Sequence, residues 1–138
     1  YWAESRLGKQ RIQNAYAYKK LLAQNGWLPA GTDFPIEKID PLLTFYAAVS
    51  RKDAQGFPDG GFQPENALTR EEALRSMTIW AATSLFQEKE RGSLEPGKTA
   101  DFVILDTDLM KAGEKQVLTA KVLKVYIQGN PIFDYNHK

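Results

Sequence analysis

The chain has 138 residues, 43% of them hydrophobic and 25% charged, and its 18 basic and 17 acidic side chains leave a formal net charge of +1. This balance provides no footprint for nucleic acid or anionic lipid, and no apolar run approaches the ~20 residues of a membrane span. With no cysteine and a single histidine, His137, disulfides and a His/Cys zinc site are excluded. We therefore predict a globular domain, or part of one, without a nucleic-acid or membrane partner.

The first elements in chain order are a helix and a short strand. Residues 9–25 carry apolar side chains at helical spacing, and Gly26 is placed to end that helix in the left-handed conformation. Residues 27–30 are apolar but too few for a helix, and they are interpreted as a buried strand although Pro29 cannot donate to a ladder. Residues 31–35 then predict a turn.

Two further helices flank a long loop. Asp40 and Pro41 predict the N-cap and first residue of a second helix. Residues 51–68 are rich in Gly, Pro, Asp and Asn, and loops of this length in compact domains are functional or disordered. Thr69 and Glu72 predict a capping box for a third helix, which we expect to end near residue 86.

The last third of the chain predicts β-structure. Residues 101–106 and 122–127 are typical of strands, and Gly129-Asn130 predicts a tight turn into a third strand at residues 131–133. The composition changes near residues 88–98, where we place a boundary. The whole predicts a mixed α/β chain of helices followed by a β segment with a hairpin.

Asp33 is the first candidate functional residue. A carboxylate just after the carboxyl end of a short buried strand lies where α/β folds place their chemistry. The structural alternative is an Asx-turn or a helix cap, which aspartates in turns commonly form.

Three further side chains are weaker candidates for binding a substrate. Phe57 and Phe62 lie on a Gly-rich loop that lacks the spacing of a phosphate-binding loop, so they are either a lid over a small apolar ligand or simple packing. Arg6, together with Arg11, is suited to clamping a carboxylate, although arginines ahead of a helix are more often surface residues.

Several segments resemble one enzyme family. GSLEPGKTADFVILD at residues 92–106 resembles the GSLxPGKxADFVVLD signature of metal-dependent amidohydrolases, and residues 122–130 resemble the closing strand and turn of that family. GTDFP at residues 31–35 resembles the GSDxP motif after the eighth barrel strand, with Thr32 in place of the commoner serine. Three more segments fit the branch of N-substituted formamide deformylase-like and D-aminoacylase-like enzymes: residues 5–11, 47–51 and 68–74.

The resemblance implies a fold and a division of the chain. Residues 1–90 are expected to form the end of a (β/α)₈ barrel, with its final strand and helices. Residues 91–138 are expected to supply strands of a small composite β-sandwich. The chain is then the C-terminal portion of a longer enzyme, because the family's metal-binding histidines are missing from this sequence.

The resemblance also implies an activity. In the intact enzyme Asp33 would bind a divalent metal, for which zinc is the first candidate. Asp33 would also accept the proton of a metal-activated water and donate it to the leaving amine of a small-molecule amide. The chain alone is expected to be inactive, to hold no metal and to self-associate through uncovered strands. Two alternatives stay open: a standalone, non-catalytic interaction or regulatory module, and one half of a split enzyme.

Overall fold

The computed structural model describes residues 2–136, and this part of the chain is helical first and β-stranded last. Two single 3₁₀ turns, Ile12–Asn14 and Pro64–Asn66, accompany the regular elements. The α-helices are α1 Trp2–Arg11, α2 Tyr18–Asn25, α3 Pro41–Ser50, α4 Arg70–Met77, α5 Ile79–Ser84 and α6 Glu114–Thr119, and the β-strands are β1 Phe102–Leu105, β2 Val122–Ile127 and β3 Asn130–Asp134.

The strands form one antiparallel sheet in the order β1-β2-β3. Phe102 is opposite Tyr126, and their rings stack with centroids 4.5 Å apart. Lys124 is opposite Asp134 and forms an ion pair with it at 2.9 Å. The strands thus agree with the prediction, but the hairpin turns at Gln128 and Gly129 rather than one residue later, because both adopt the positive φ that a two-residue hairpin loop needs.

The hydrophobic core lies among the helices. Side chains from α2, α3, α4 and α6 meet there, together with Leu68 from the long loop, whereas the strand residues are all partly or fully exposed. The most buried members are Leu22, Phe45, Tyr46, Leu68, Ala73 and Val117. None of the helices in residues 2–136 is long and apolar enough to cross a membrane.

The helix predicted for residues 9–25 is interrupted. It divides into α1, a 3₁₀ turn and α2, and Tyr16 between them has a φ of 58°. Distant side chains bind the carbonyls at the break: Gln63 Nε2 donates to Ile12 O at 2.6 Å, and Arg51 Nη2 donates to Tyr16 O at 3.3 Å. Tertiary hydrogen bonds therefore override a local helical pattern here.

The predicted strand at residues 27–30 is wrong, because a hydrogen bond to a helix takes the place of strand pairing there. This hydrogen bond also explains the break between α4 and α5. Residues 27–33 have no regular structure. Ala30 N donates at 3.0 Å to Ser76 O, a helix carbonyl, and no strand of the described residues lies alongside. In a continuous helix Ser76 O would accept from Trp80 N instead. The single helix predicted to end near residue 86 is therefore broken into α4 and α5, with a bend at Thr78.

Helix α6, between β1 and β2, has no counterpart in the sequence prediction. It packs against α3, and Val117 is 2% exposed in the core. Arg70 of α4 ties this region down by donating to Leu109 O and, at 2.6 Å, to Ala112 O. The last third of the chain thus shares the core of the helical part, and the boundary at residue 90 stays a prediction.

Candidate active-site cleft

Asp33 lies in the predicted turn, held by its backbone. Its φ is 57°, and its carbonyl accepts from Ile36 N at 2.8 Å and from Glu37 N at 3.3 Å. Within the described part of the chain its carboxylate accepts no hydrogen bond, so neither an Asx-turn nor a helix cap forms. The turn therefore fixes the backbone position of an exposed carboxylate that has no structural task.

This carboxylate lines a cleft of about 850 Å³. The walls come from α1, the start of α2 with the residue Tyr16 before it, the segment around the Asp33 turn, α3, and the loop that follows α3. Phe57 and Phe62, predicted as weak candidates, line the same cleft as Asp33. A volume of this size is in the range of small-molecule sites.

The loop after α3 is held in one shape by its own hydrogen bonds. Asp53 Oδ1 accepts from Gln55 N and Phe57 N, both at 2.9 Å, and Asp53 N donates to Phe57 O at 2.8 Å. At Gly61 a Cβ would lie 2.5 Å from Ser50 O, so only glycine lets the chain return across the end of α3. The loop thus presents Phe57, which is 53% exposed, as part of a fixed wall.

Arg51 organises the opposite wall, although no sequence pattern marked it as a candidate. Its Nε donates to Phe62 O at 2.9 Å, and its guanidinium carbon lies 5.2 Å from the Tyr18 ring centroid and 5.7 Å from that of Phe62. Burial lowers the pKa of Arg51 more than Tyr18 and Glu65 raise it, yet a guanidinium keeps its charge in proteins.

The other cations lie in different places, and the clamp suggested for Arg6 and Arg11 stays a prediction. Arg6 is exposed on α1 and is not among the residues that line the cleft, and Arg11 Nε donates to Leu7 O at 2.8 Å. Lys52 does line the cleft but pairs with Glu114 at 3.1 Å, and this hydrogen bond raises the pKa of the lysine. The cleft therefore combines an aromatic wall with several carboxylates, among them Asp33, which accepts no hydrogen bond from the described residues.

The residues present do not fit a metal ion by themselves. No group of three or more His, Cys, Asp or Glu side chains within residues 2–136 is arranged to hold one, and His137 lies outside that range. Asp33 offers a single carboxylate, whereas tight divalent sites need several ligands. Any metal at Asp33 would take its other ligands from residues not described here.

The carboxylates of the 92–106 signature have structural tasks. Asp101 Oδ1 accepts from Gln128 N at 2.8 Å, and Asp106 Oδ1 accepts from Lys121 N at 2.8 Å, so they fasten the two ends of β1 to β2. Hydrogen bonds from Lys121 N and then Thr107 lower the pKa of Asp106. The signature thus builds the sheet and does not line the cleft.

Comparison with known proteins gives the family. Residues 1–133 match the model of the amidohydrolase family. The chain therefore belongs to this family, and the predicted membership of the amidohydrolase superfamily is confirmed.

The individual matches are to longer proteins. The amidohydrolase YtcJ of Bacillus subtilis is 32% identical over 133 residues, which are 96% of this chain and 25% of YtcJ. N-substituted formamide deformylase of Arthrobacter pascens is 32% identical over 116 residues, 80% of this chain and 21% of that enzyme. A crystal structure of an amidohydrolase from Thermotoga maritima aligns with a TM-score of 0.46 at 23% identity, over 88% of this chain and 35% of that one. The chain spans about a quarter of the length of the curated relatives it matches.

Proposed function

We propose that this chain is the C-terminal part of a hydrolase that cleaves C–N bonds in small amide-type substrates, and that it contributes Asp33 to the reaction. Family membership supports the reaction class, and the name of the N-substituted formamide deformylase supports an amide as substrate. The observation that carries the proposal is the exposed Asp33, which a positive-φ turn places in the lining of a cleft of small-molecule size.

The chemistry proposed for Asp33 is proton transfer. Its carboxylate accepts a proton from the attacking water as the C–O bond forms at the substrate carbonyl. The protonated carboxyl then gives that proton to the nitrogen as the C–N bond breaks, so the amine leaves neutral and the carboxylate is regenerated. The Asp33 turn contributes by holding the carboxylate in place between the two steps.

The fold proposed for the complete protein follows the same resemblance. Residues 1–90 complete a (β/α)₈ barrel, in which residues 27–30, irregular in the described chain, become a strand by pairing with strands from other segments. Residues 91–138 complete a composite sandwich, in which the unpaired edges of β1 and β3 find partners. The family implies a divalent metal ion, for which zinc is the first candidate. This ion belongs to the complete protein, and its remaining ligands come from other segments.

Replacing Asp33 tests the proposal in the full-length protein. Asp33→Asn is expected to lower kcat for N-substituted formamides and related amides by about a hundredfold or more, the usual effect of losing a general acid–base group. Circular dichroism should show an unchanged fold, since the side chain has no structural hydrogen bond. Asp59→Asn, a carboxylate on the loop outside the cleft lining, is the matched control and should keep full activity. A near-normal kcat for Asp33→Asn would remove Asp33 from the mechanism.

A further inference from the structure

Three aromatic rings form one continuous wall of the cleft. Tyr16 meets Phe62 edge-to-face, with centroids 6.2 Å apart and planes at 77°, and meets Tyr18 in the same manner at 6.4 Å and 75°. All three rings line the cleft that Asp33 also lines. Tyr16 and Tyr18 remain 43% and 39% exposed, so the rings pack against one another and still present surface to the cleft. A contiguous exposed apolar surface of this kind marks a binding site more often than scattered single side chains do.

Arg51 holds this wall in shape and itself lines the cleft. It ends α3 in the left-handed conformation with a φ of 58°, and its side chain contacts the start of α2. Its Nε and Nη2 bind Phe62 O and Tyr16 O, and its guanidinium lies over the Tyr18 and Phe62 rings. One side chain therefore fixes the backbone or the ring of every member of the wall, so we regard Arg51 as a positioning residue.

The charges around the wall indicate what it accepts. A cationic ligand is disfavoured because Arg51 already lies over two of the ring faces. An anionic ligand is not favoured either, because the carboxylates of Glu4, Asp33, Glu37 and Asp53 line the same cleft and outnumber the cations Lys38, Arg51 and Lys52. Of these cations, Lys52 is already paired with Glu114. A neutral aromatic group is left, and it packs against such rings in the same edge-to-face and offset arrangements that the rings adopt with each other.

We propose that Tyr16, Tyr18 and Phe62 form the specificity wall of this cleft and select amides whose non-reacting substituent is a neutral aromatic group. This inference rests on the proposed hydrolytic function and deepens it by naming the substrate class. The substituent lies on the rings while the scissile bond lies toward Asp33, so binding energy from the remote part of the substrate positions the reacting carbonyl.

A binding experiment tests the wall without requiring hydrolysis. The probes are two methyl ketones of equal chain length, one ending in a phenyl ring and one in an alkyl group, in which a methylene replaces the amide nitrogen. The full-length protein should bind the phenyl ketone about tenfold or more tightly than the alkyl ketone, as expected for ring–ring packing added to burial. Phe62→Leu and Tyr18→Leu should each remove most of this preference, measured as the ratio of the affinities for the two ketones. Phe86→Leu, at a ring that is 92% exposed and outside the cleft lining, is the matched control.

Kinetics with the corresponding pair of amides test Arg51. Arg51→Lys keeps the charge but cannot make two N–H bonds in the planar guanidinium geometry. It should raise KM for the phenyl amide about tenfold more than KM for the alkyl amide, with kcat for the phenyl amide little changed. Loss of general structural integrity would instead affect both amides equally.

The outcomes separate this inference from the proposed function. Equal affinity of the wild-type protein for the two ketones, or an unchanged preference in both ring variants, overturns the aromatic wall, whether or not amides are hydrolysed. A ring-dependent preference for the phenyl ketone without hydrolysis of any amide supports the wall and contradicts the proposed hydrolytic function.

Discussion

Glu72 is a single side chain that both begins a helix and joins two helices. Its Oε2 accepts from Thr69 N at 2.8 Å while Thr69 Oγ1 accepts from Glu72 N at 3.2 Å, which completes the predicted capping box of α4. The same carboxylate forms an ion pair with Lys19 of α2. Partial burial raises the pKa of Glu72, but the hydrogen bond from Lys19 and those from Thr69 outweigh it, so the pKa lies below its usual value.

This lowered pKa predicts a pH-dependent stability. The folded protein keeps Glu72 ionised to lower pH than the unfolded chain does, so the stabilisation is fully present above the unfolded pKa of about 4.3 and is lost as the pH falls through the folded pKa. Glu72→Gln should lower the free energy of unfolding at pH 7 by about 1 kcal/mol and should weaken the decline of stability below pH 5. Urea unfolding measured between pH 7 and pH 3 provides the comparison.

Glu71→Gln is the control for that experiment. Glu71 occupies the neighbouring position of the same helical turn, but its side chain is 73% exposed and forms only an exposed pair with Arg75 at 3.5 Å. Such pairs contribute little, so its stability should stay within about 0.5 kcal/mol of the wild type. If Glu72→Gln retained the acid dependence of the wild type, the assigned role of the Lys19–Glu72–Thr69 contacts would be wrong.

At the scale of elements, the signature segment from residue 92 attaches the sheet to the helices. Gly92 has a φ of 90°, and a Cβ there would lie 2.7 Å from Ala82 Cβ and 2.9 Å from Ile79 Cα. The chain leaving α5 therefore lies directly against that helix. Lys98 then turns back, donating to Ser93 Oγ at 2.6 Å and pairing with Glu95 at 3.3 Å. The glycine of the signature is thus required for packing as well as for its backbone conformation.

Gly92→Ala should accordingly destabilise the protein by about 2–4 kcal/mol, since it combines a left-handed alanine with overpacking against α5. Gly97→Ala is a matched control: its φ is 91°, but nothing lies within 4 Å of the added Cβ, so only the backbone cost of about 1 kcal/mol remains. Thermal and urea unfolding of the two variants measure the difference. Equal losses would contradict the close contact with α5.

Local signals predicted elements well where the interaction that defines them is itself local. The Asp40 cap of α3, with Asp40 Oδ1 accepting from Leu42 N at 2.9 Å, and the left-handed Gly26 at the end of α2 are confirmed. The sequence pattern failed where a partner distant in the chain decides the conformation. Ser76 O receiving Ala30 N is such a case, because no periodicity within residues 27–30 or 70–86 reveals it.

The candidate site was predictable only in part, for the same reason. The Asp33 turn was recognisable because its residues are contiguous and resemble a family motif. The aromatic wall on the other side of the cleft was not recognisable. The apolar periodicity assigned Tyr16 to one face of a single long helix, and Arg51 lies 35 positions further along the chain. Only the folded chain brings Tyr16, Arg51 and Phe62 to the cleft that Asp33 lines.

At the scale of the whole molecule, the sheet is exposed in a way that the helices are not. Because β2 is central, β1 and β3 are both edges, and no further strand of residues 2–136 covers them. Apolar side chains on and beside these edges are solvent-accessible, namely Val103, Ile104, Ile132 and Phe133. With a net charge of +1, electrostatic repulsion between copies does little to keep such edges apart.

We propose that the 138-residue chain, prepared alone, self-associates through this sheet. Light scattering should show an average mass that rises with protein concentration, because an uncovered strand pairs readily with another copy. Val103→Lys, which places a charge on the edge strand β1, should shift the population toward monomer. Ile36→Lys makes the same change at a residue that is even more accessible, 78% exposed against 52% for Val103, but that lies in the Asp33 turn, so it should leave the association unchanged. A monomeric mass at every concentration would show that the sheet needs no partner. An equal shift toward monomer for both lysine variants would show that general hydrophobicity, rather than strand pairing, drives the association.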